Sequence, residues 1–173
     1  MITLNKTSAR LIDLDDLDFL NKIRLSEFVQ NNVGHHLFTN NLIQKEWIEK
    51  ISKSPDTKYL ILETFDNDKL IKIGLIRFTN IDFINRSMCV GGDIIQEYSG
   101  KGFGREMYNI IFKIGFDIWG LNRLWLSVLE NNFRAINLYN KIGFKNEGKL
   151  RQAIYKNGKF ENYLIMSILK SEI

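Results

Sequence analysis

The chain has 173 residues, of which 45% are hydrophobic and 25% are charged, an ordinary balance for a folded globular protein. It is long enough to bury a sizeable core, and we expect a single domain over residues 1–173. The net charge of +4 suits an anionic ligand, but the clustered basic stripe expected of a nucleic-acid binder is missing. The single cysteine, Cys89, excludes an internal disulfide and indicates a reducing, cytoplasmic setting. Neither a signal peptide nor an apolar run long enough to span a membrane is visible.

Hydrophobic periodicity changes several times along the chain and predicts its elements. A helix is expected to begin at a cap on Asp15 or Asp16, and Asn131-Asn132 is expected to cap another, with Gly143 after its end. Asn157-Gly158 is typical of a type I′ hairpin turn. In chain order the pattern predicts a strand at 8–14, helices from 17 to about 28 and at 42–53, strands at 58–64, 70–80 and 87–96, a helix at 103–118, a strand at 124–128, a helix after 131–132, and strands at 144–155 and 160–169.

This order of elements predicts the fold class. The strands before residue 97 are joined by short turns, which favours antiparallel pairing. The strand, helix and strand that follow require a crossover and therefore a parallel pair. We expect an α/β fold with a mixed, mostly antiparallel central sheet and flanking helices. Gly91-Gly92 within a predicted strand indicates a bulge or a close approach of ligand to backbone, unless packing alone tolerates the glycines.

Residues 93–105 run from an apolar strand through a glycine-rich turn into the clearest helix of the chain. Gly100, Gly102 and Gly104 alternate over the turn, with Lys101 and Arg105 adding positive charge. Free N–H groups and the dipole of the following helix favour an anion, so the turn predicts a phosphate cradle. No P-loop string is present, and a dinucleotide fingerprint would have a different glycine spacing near the start of the fold. A purely structural turn remains the alternative.

The turn resembles a family motif. Residues 97–102 are similar to the pyrophosphate loop [Q/R]-x-x-G-x-[G/A] of the GNAT family of N-acetyltransferases, although Glu97 departs from the usual Gln or Arg. Residues 131–144 resemble that family's second signature, N-x-x-A-x-x-x-Y-x-x-x-G-F. Residues 147–151 with the Asn157-Gly158 turn resemble the hairpin of the branch containing ribosomal-protein alanine and spermidine N-acetyltransferases. The resemblance implies the acyl-CoA acyltransferase fold, in which the parallel strand pair splays apart.

The resemblance implies acetyl-CoA as the acetyl donor. Backbone amides of the glycine turn would hold its pyrophosphate, the strand at 93–95 would pair with the pantetheine arm, and Asn132 would contact it from the next helix while also capping that helix. The residues expected to bind the donor are Ile94, Ile95, Ser99, Gly100, Lys101, Gly102, Phe103, Gly104, Arg105 and Asn132.

Tyr139 occupies the position of the family's catalytic tyrosine, which implies that it protonates the departing CoA thiolate. The alternative is a core tyrosine. The base is open: Asp93 is our candidate, with Glu130 as a second choice, acting directly or through water. Direct transfer between two bound substrates needs no enzyme nucleophile, so Cys89 is expected to be a core residue.

The acceptor is the least determined part of the prediction. His35, His36 and Phe38 are candidate substrate contacts, and no metal site is expected because no ligand cluster joins the two histidines. Phe28, Trp47 and Tyr59 are either pocket or core residues. Residues 30–41 contain no Asp or Glu, so a neutral or anionic amine is favoured, such as a nucleotide-linked amino sugar, a ribosomal-protein N-terminus or an amino-acid-like metabolite. The alternatives are a spermidine-type polyamine acetyltransferase and a non-catalytic CoA-binding module. A homodimer is expected, without nucleic-acid or membrane partners.

Overall fold

The structure, a computed structural model, describes residues 1–4, 6–34, 38–67 and 69–173. These residues form a single sheet with helices on both faces. Within these ranges, no helix is long and apolar enough to cross a membrane. The strands are β1 (Ile2–Leu4), β2 (Thr7–Leu11), β3 (Lys58–Asp66), β4 (Lys69–Asp82), β5 (Ser87–Ile94), β6 (Arg123–Leu129), β7 (Lys145–Lys156) and β8 (Lys159–Leu169). The α-helices are α1 (Leu17–Leu25), α2 (Glu27–Asn32), α3 (Asn41–Ser52), α4 (Phe103–Phe112) and α5 (Phe133–Lys141).

The sheet has the order β1-β2-β3-β4-β5-β6-β8-β7, and β5 with β6 is the parallel pair among otherwise antiparallel neighbours. This confirms the predicted mixed α/β sheet. The parallel ladder is short: it begins with Ser87 opposite Arg123 and ends with Cys89 opposite Trp125. Beyond Cys89 the two strands diverge, while β5 stays paired with β4 as far as Ile94. A gap therefore opens in the middle of the sheet.

The central strands send alternate side chains to opposite faces, as a pleated strand must. On one face Leu60, Leu62 and Ile76 pack in a large cluster with Ile110 and Ile111 of α4. On the other face Ile61 and Leu75 pack against buried residues of α1, α2 and α3. Because each fully buried aliphatic side chain contributes about 2 kcal/mol, these two layers hold the helices firmly on either side of the gap.

Prediction and structure agree best for the helices near the gap. The side chain of Asn132 caps α5 by accepting from Ala135 N at 3.1 Å, and Gly143 follows its end with φ of 102°. The helix predicted at 103–118 is α-helical only to Phe112 and continues as a π-helix over Lys113–Ile118. There Gly115 brings the backbone so close to β5 and β6 that a Cβ would lie 2.9 Å from Met88 Cε.

The N-terminal predictions need correction. The strand expected at 8–14 is β2, and the preceding β1 was not predicted. Asp16 occupies the N-cap position of α1, as predicted, but its side chain makes no capping hydrogen bond to that helix. The capping carboxylate is Asp13, which begins the preceding 3-10 turn Leu14–Asp16 and accepts from Leu14 N at 2.6 Å. Asp16 is fully buried, with its carboxylate bound to Arg10 at 2.8 Å and to Lys72 at 2.6 Å. The role of Asp16 is therefore to form ion pairs with two strands of the sheet, which the spacing of residues in the sequence does not reveal.

The C-terminal hairpin closes the far edge of the sheet. Asn157 with φ of 50° and Gly158 with φ of 79° form its turn, as predicted. At its end Lys156 is buried and donates to the carbonyls of Gln30 and Val33, each at 2.6 Å. This tie holds the carboxyl end of α2 against the hairpin and so fixes one wall of the gap.

Candidate active site

A cavity of about 910 Å³ occupies the gap between β5 and β6. Its walls are the glycine turn with α4 and α5 on one side, and α1, α2 and α3 on the other. Two distant parts of the sequence thus border one space. The predicted site residues among its lining are Phe38, Asp93, Ile94, Ser99, Gly100, Gly102, Gly104, Arg105, Asn132 and Tyr139.

The glycine turn adopts a conformation that only glycine takes readily. Gly100 has φ of 80° and Gly102, the N-cap of α4, has φ of 90°. No neighbouring atom lies within 4 Å of a Cβ built at Gly102, so the backbone angle and not crowding demands glycine there. At Gly104 a Cβ would lie 2.9 Å from Leu138 Cδ2, so this glycine lets α4 approach α5. The first N–H groups of α4 consequently border the cavity, which is the arrangement that binds a phosphate.

Other predicted donor contacts lie outside the cavity wall. The Ile95 N–H donates to Ile73 O at 2.9 Å and the Ile95 carbonyl accepts from Tyr98 N, so both main-chain groups are engaged within the protein. The ring of Phe103 packs on Tyr98 with centroids 5.6 Å apart, and Lys101 Nζ lies 5.2 Å from the Tyr98 ring. Of the predicted acceptor contacts, Phe38 is 88% exposed at the cavity. His35 and His36 lie outside the described residues.

Tyr139 projects from α5 into a group of aromatic side chains. Its ring centroid is 5.4 Å from that of Tyr108 and 5.8 Å from that of Phe144. Burial raises the pKa of Tyr139 above its ordinary value, and the neighbouring Tyr108 hydroxyl and Arg77 charge only partly oppose this. Tyr139 therefore carries its proton at neutral pH. The buried Tyr108 hydroxyl interacts electrostatically with Tyr139 but makes no hydrogen bond of regular geometry to the described residues.

Asp93 forms an ion pair that was not predicted. Arg77 of β4 donates from Nη1 to Asp93 Oδ2 at 2.5 Å, and the Asp93 charge is the main reason why the pKa of Arg77 is raised. Gly91 makes room for this pair, because a Cβ there would lie 3.1 Å from Arg77 Nη2. At Gly92 a Cβ would collide with Met107 Sδ. The groups that approach the backbone of the glycine pair closely are therefore side chains of the protein itself, Arg77 and Met107.

The helical wall of the cavity is aromatic and basic. Trp47 and Tyr59 meet edge to face with ring centroids 4.7 Å apart. The Arg24 guanidinium carbon lies 3.7 Å above the Trp47 ring, and Arg24 Nη1 donates to Gln44 Oε1 at 3.0 Å. Both aromatic rings also pack on the second core cluster, so they are pocket and core residues at once. Nothing in the spacing of Arg24 pointed to this place.

Positive charge dominates the lining. Arg134, in a variable position of the second family signature, lies beside the glycine turn, with Nη2 3.6 Å from a Cβ built at Gly100. Asp93 is the one acidic residue that the described lining contains. The basic residues of the same lining are Arg24, Arg77, Arg105, Arg134 and Lys141.

The remaining candidates lie apart from this lining. Glu130 accepts from Asn162 Nδ2 at 2.7 Å and pairs with Lys149 at the end of β6. Burial raises the pKa of the Cys89 thiol, which disfavours the nucleophilic thiolate. Within the described ranges, no three His, Cys, Asp or Glu side chains come together in a way that could hold a metal ion.

Comparison with known proteins assigns this architecture. The family model described as Acetyltransferase (GNAT) domain matches residues 6–145. The spermidine N(1)-acetyltransferase of Vibrio cholerae is 30% identical over 149 residues, covering 80% of this chain and 86% of the relative. The uncharacterized N-acetyltransferase p20 of Bacillus licheniformis is 33% identical over 171 residues, covering 96% and 94%.

Solved structures agree with this. The crystal structure of spermidine N-acetyltransferase from Vibrio cholerae in complex with CoA and spermine superposes with a TM-score of 0.90 at 25% identity, covering 96% of this chain and 97% of that one. The predicted splayed sheet, the glycine turn and the two sequence signatures are thus found together in one chain. The chain belongs to the GNAT family and is an acetyl-CoA-dependent N-acetyltransferase.

Proposed function

We propose that the enzyme moves the acetyl group directly to a primary amine of a small molecule while both substrates occupy the cavity. The observation that carries this proposal is the end of the parallel ladder at Cys89, which leaves Asp93 and Tyr139 bordering one continuous space. The glycine turn lies on one side of that space and the aromatic wall of α3 on the other. A donor and an acceptor can therefore meet without a covalent enzyme intermediate.

The donor is assigned to the glycine-turn side. The backbone of 99–105 suits the pyrophosphate, and Arg105 and Arg134 supply charge beside it. The part of β5 beyond Cys89 has no strand on its β6 side, so its main chain suits the extended pantetheine arm. Ile94 and Asn132 border the same channel. Ile95 fits this role less well because its main-chain groups are already bonded.

Tyr139 is proposed as the general acid. Acetyl-CoA supplies the acetyl group and a thiolate leaving group, whose thiol has an ordinary pKa near 8.5. The amine nitrogen bonds to the acetyl carbon, the carbon–sulfur bond breaks, and the Tyr139 hydroxyl gives its proton to the sulfur. The acylated nitrogen then releases a proton, which restores the Tyr139 hydroxyl through water. Burial raises the pKa of Tyr139, so the hydroxyl is protonated at the start of each cycle.

Asp93 is proposed as the general base, directly or through water. The attacking nitrogen must lose the proton of its ammonium form before it has a free lone pair. The ion pair with Arg77 holds the carboxylate in place beside the cavity that the amine would enter. Glu130 is the weaker candidate because it does not border the cavity in the described structure.

One rival acceptor has an observation behind it, and a non-catalytic module is a weaker alternative. Spermidine is favoured as acceptor by the Vibrio cholerae relatives, whose names and structures concern spermidine and spermine. Against it stands the single carboxylate of the described lining, already paired with Arg77. A non-catalytic CoA-binding module would need neither Tyr139 nor its raised pKa, so we rank it lower.

A steady-state assay of CoA release with a panel of amines tests the proposal. The panel contains spermidine, a nucleotide-linked amino sugar, and peptides beginning with Ala or Ser. We expect saturable turnover on at least one amine, with kinetics showing both substrates bound before CoA leaves. Tight binding of acetyl-CoA without turnover on any amine would favour the non-catalytic module.

The setting of the enzyme is also a proposal. We infer a cytoplasmic enzyme with one catalytic domain over residues 1–173 that acts without nucleic-acid or membrane partners. We further propose a homodimer, since β7 is the last strand of the sheet and most of its residues are exposed. A light-scattering mass near 20.3 kDa would contradict the dimer.

A further inference from the structure

Arg24 is an ordered cation on the acceptor side of the cavity. It lies in the last turn of α1, where its guanidinium plane is held by Trp47 and tethered by Gln44 of α3. Trp47 is in turn braced by Tyr59 of β3. Three elements of the fold thus restrict one long side chain, whose immobilisation costs conformational entropy.

The charge of Arg24 is not balanced within the described structure. Gln44 Oε1 is a neutral acceptor, and no ion pair to Arg24 is formed by the residues that the structure describes. The nearby carboxylate, Asp93, already binds Arg77. Burial lowers the pKa of Arg24 and Arg77 acts in the same direction, whereas Tyr59 and Asp93 act against them, and a guanidinium starts so high that it stays charged. A partly buried cation without a counter-charge is costly unless a ligand provides one.

The guanidinium is also suited to one class of ligand. Its planar fork presents several donors that match the oxygens of a carboxylate or a phosphate. The neighbouring rings of Trp47 and Tyr59 provide an apolar surface for the chain linking such a group to an amine. A second cationic amine, as in a polyamine, would meet the unbalanced charge of Arg24 instead.

We propose that the acceptor carries, besides its primary amine, an anionic group, either a carboxylate or a phosphate, that binds the Arg24 guanidinium over Trp47. This rests on the proposed transfer to small-molecule amines and names the substrate class of the same site. Arg24 is then a specificity-determining residue: it holds the far end of the acceptor while Asp93 and Tyr139 act on the amine end.

Matched acceptor pairs test this with the full-length protein and acetyl-CoA. γ-Aminobutyrate is compared with its amide and phosphoethanolamine with ethanolamine, and spermidine is included as the polycation. We expect kcat/KM for an anionic member to exceed that of its neutral partner by about tenfold or more. A larger ratio in the γ-aminobutyrate pair would identify a carboxylate as the preferred anionic group, and a larger ratio in the phosphoethanolamine pair would identify a phosphate.

Three variants separate recognition from mere packing. Arg24→Gln should reduce the anionic-to-neutral ratio to near one, and Arg24→Lys should retain part of it as a point charge. Arg86→Gln makes the same change in an exposed turn at the opposite end of β5 and should leave the ratio at its wild-type value. If Arg24 only braced Trp47, its loss would lower both members of a pair equally and the ratio would persist.

Each remaining outcome decides the matter. A wild-type ratio near one, a ratio that Arg24→Gln leaves unchanged, or spermidine as the best acceptor overturns the proposal. If no amine is acetylated, the binding of γ-aminobutyrate and phosphoethanolamine to the protein–CoA complex is measured by equilibrium dialysis instead. Binding that depends on Arg24 then supports the anion site although the proposed function has failed, and absence of binding overturns both.

Discussion

The Arg77 guanidinium binds the Asp93 carboxylate at 2.5 Å across neighbouring strands, just beyond the point where β5 loses its parallel partner. The pair borders the cavity and lies over Gly91, which has no side chain to obstruct it. This carboxylate is the group that we propose accepts a proton from the incoming amine. The pair therefore links the divergence of the sheet to the proposed chemistry.

Asp93→Asn should lower kcat by about a hundredfold at neutral pH, because an amide of the same size cannot accept the ammonium proton. Acetyl-CoA affinity, measured by calorimetry, should change little. Asp117→Asn is the matched control, since Asp117 makes only an exposed pair with Lys113 on the π-helix. An unchanged kcat in Asp93→Asn would remove Asp93 from the mechanism.

Tyr139→Phe should lower kcat by about tenfold or more with little effect on the dissociation constant of acetyl-CoA. The change removes the hydroxyl and keeps the ring that packs on Tyr108 and Phe144. Tyr155→Phe provides the control, because Tyr155 is 65% exposed on the C-terminal hairpin. Wild-type kcat in Tyr139→Phe would show that another group protonates the thiolate.

Gly102→Ala should weaken acetyl-CoA binding by about fivefold or more. A Cβ meets no atom within 4 Å at this position, so the cost arises from φ of 90°, at roughly 1–2 kcal/mol. Relief of that strain would tilt the first N–H groups of α4 away from the phosphates. Gly148→Ala is the control, as no atom crowds it and its φ is not positive. Equal affinities of the two variants would contradict the assigned cradle.

Asp16→Asn should destabilise the fold by about 3 kcal/mol at pH 7, because it removes the buried carboxylate that pairs with both Arg10 and Lys72 and leaves Arg10 only its second partner, Glu63. Burial disfavours the Asp16 carboxylate, but hydrogen bonds from Arg10 and Lys72 outweigh this and lower its pKa from 3.8 to about 2. Urea denaturation of wild type and variant measures the difference. Asp117→Asn should cost roughly 0.5 kcal/mol or less.

The sign of the pH dependence follows from that lowered pKa. A carboxylate whose pKa is lower in the folded state stabilises the fold above its unfolded value and loses this contribution as the pH falls through the folded value. The shift from 3.8 to about 2 corresponds to about 2 kcal/mol. The stability difference between wild type and Asp16→Asn should therefore shrink between about pH 4 and pH 2. A difference that stays constant over this range would contradict the assignment.

Local sequence determined much of this protein. Gly100 and Gly102 mark a turn that needs left-handed backbone, Asn132 and Gly143 mark the ends of α5, and Asn157-Gly158 marks a hairpin. These signals act over a few residues, so each is visible in the sequence without knowledge of the fold. The order of the elements was sufficient to predict a mixed sheet with one parallel crossover.

Only the tertiary structure decided how the proposed acceptor side is built. Arg24, Arg77 and Trp47 come from separate elements, and their meeting depends on helices α1 and α3 covering the strand pair β3–β4. The burial of Asp16 and its pairing with Lys72 likewise join residues far apart in the chain. Such contacts follow from packing a whole sheet between helices, which no local spacing encodes. The proposed donor cradle is thus visible in the sequence because it is one continuous turn, whereas the proposed acceptor pocket becomes visible only when the chain is folded.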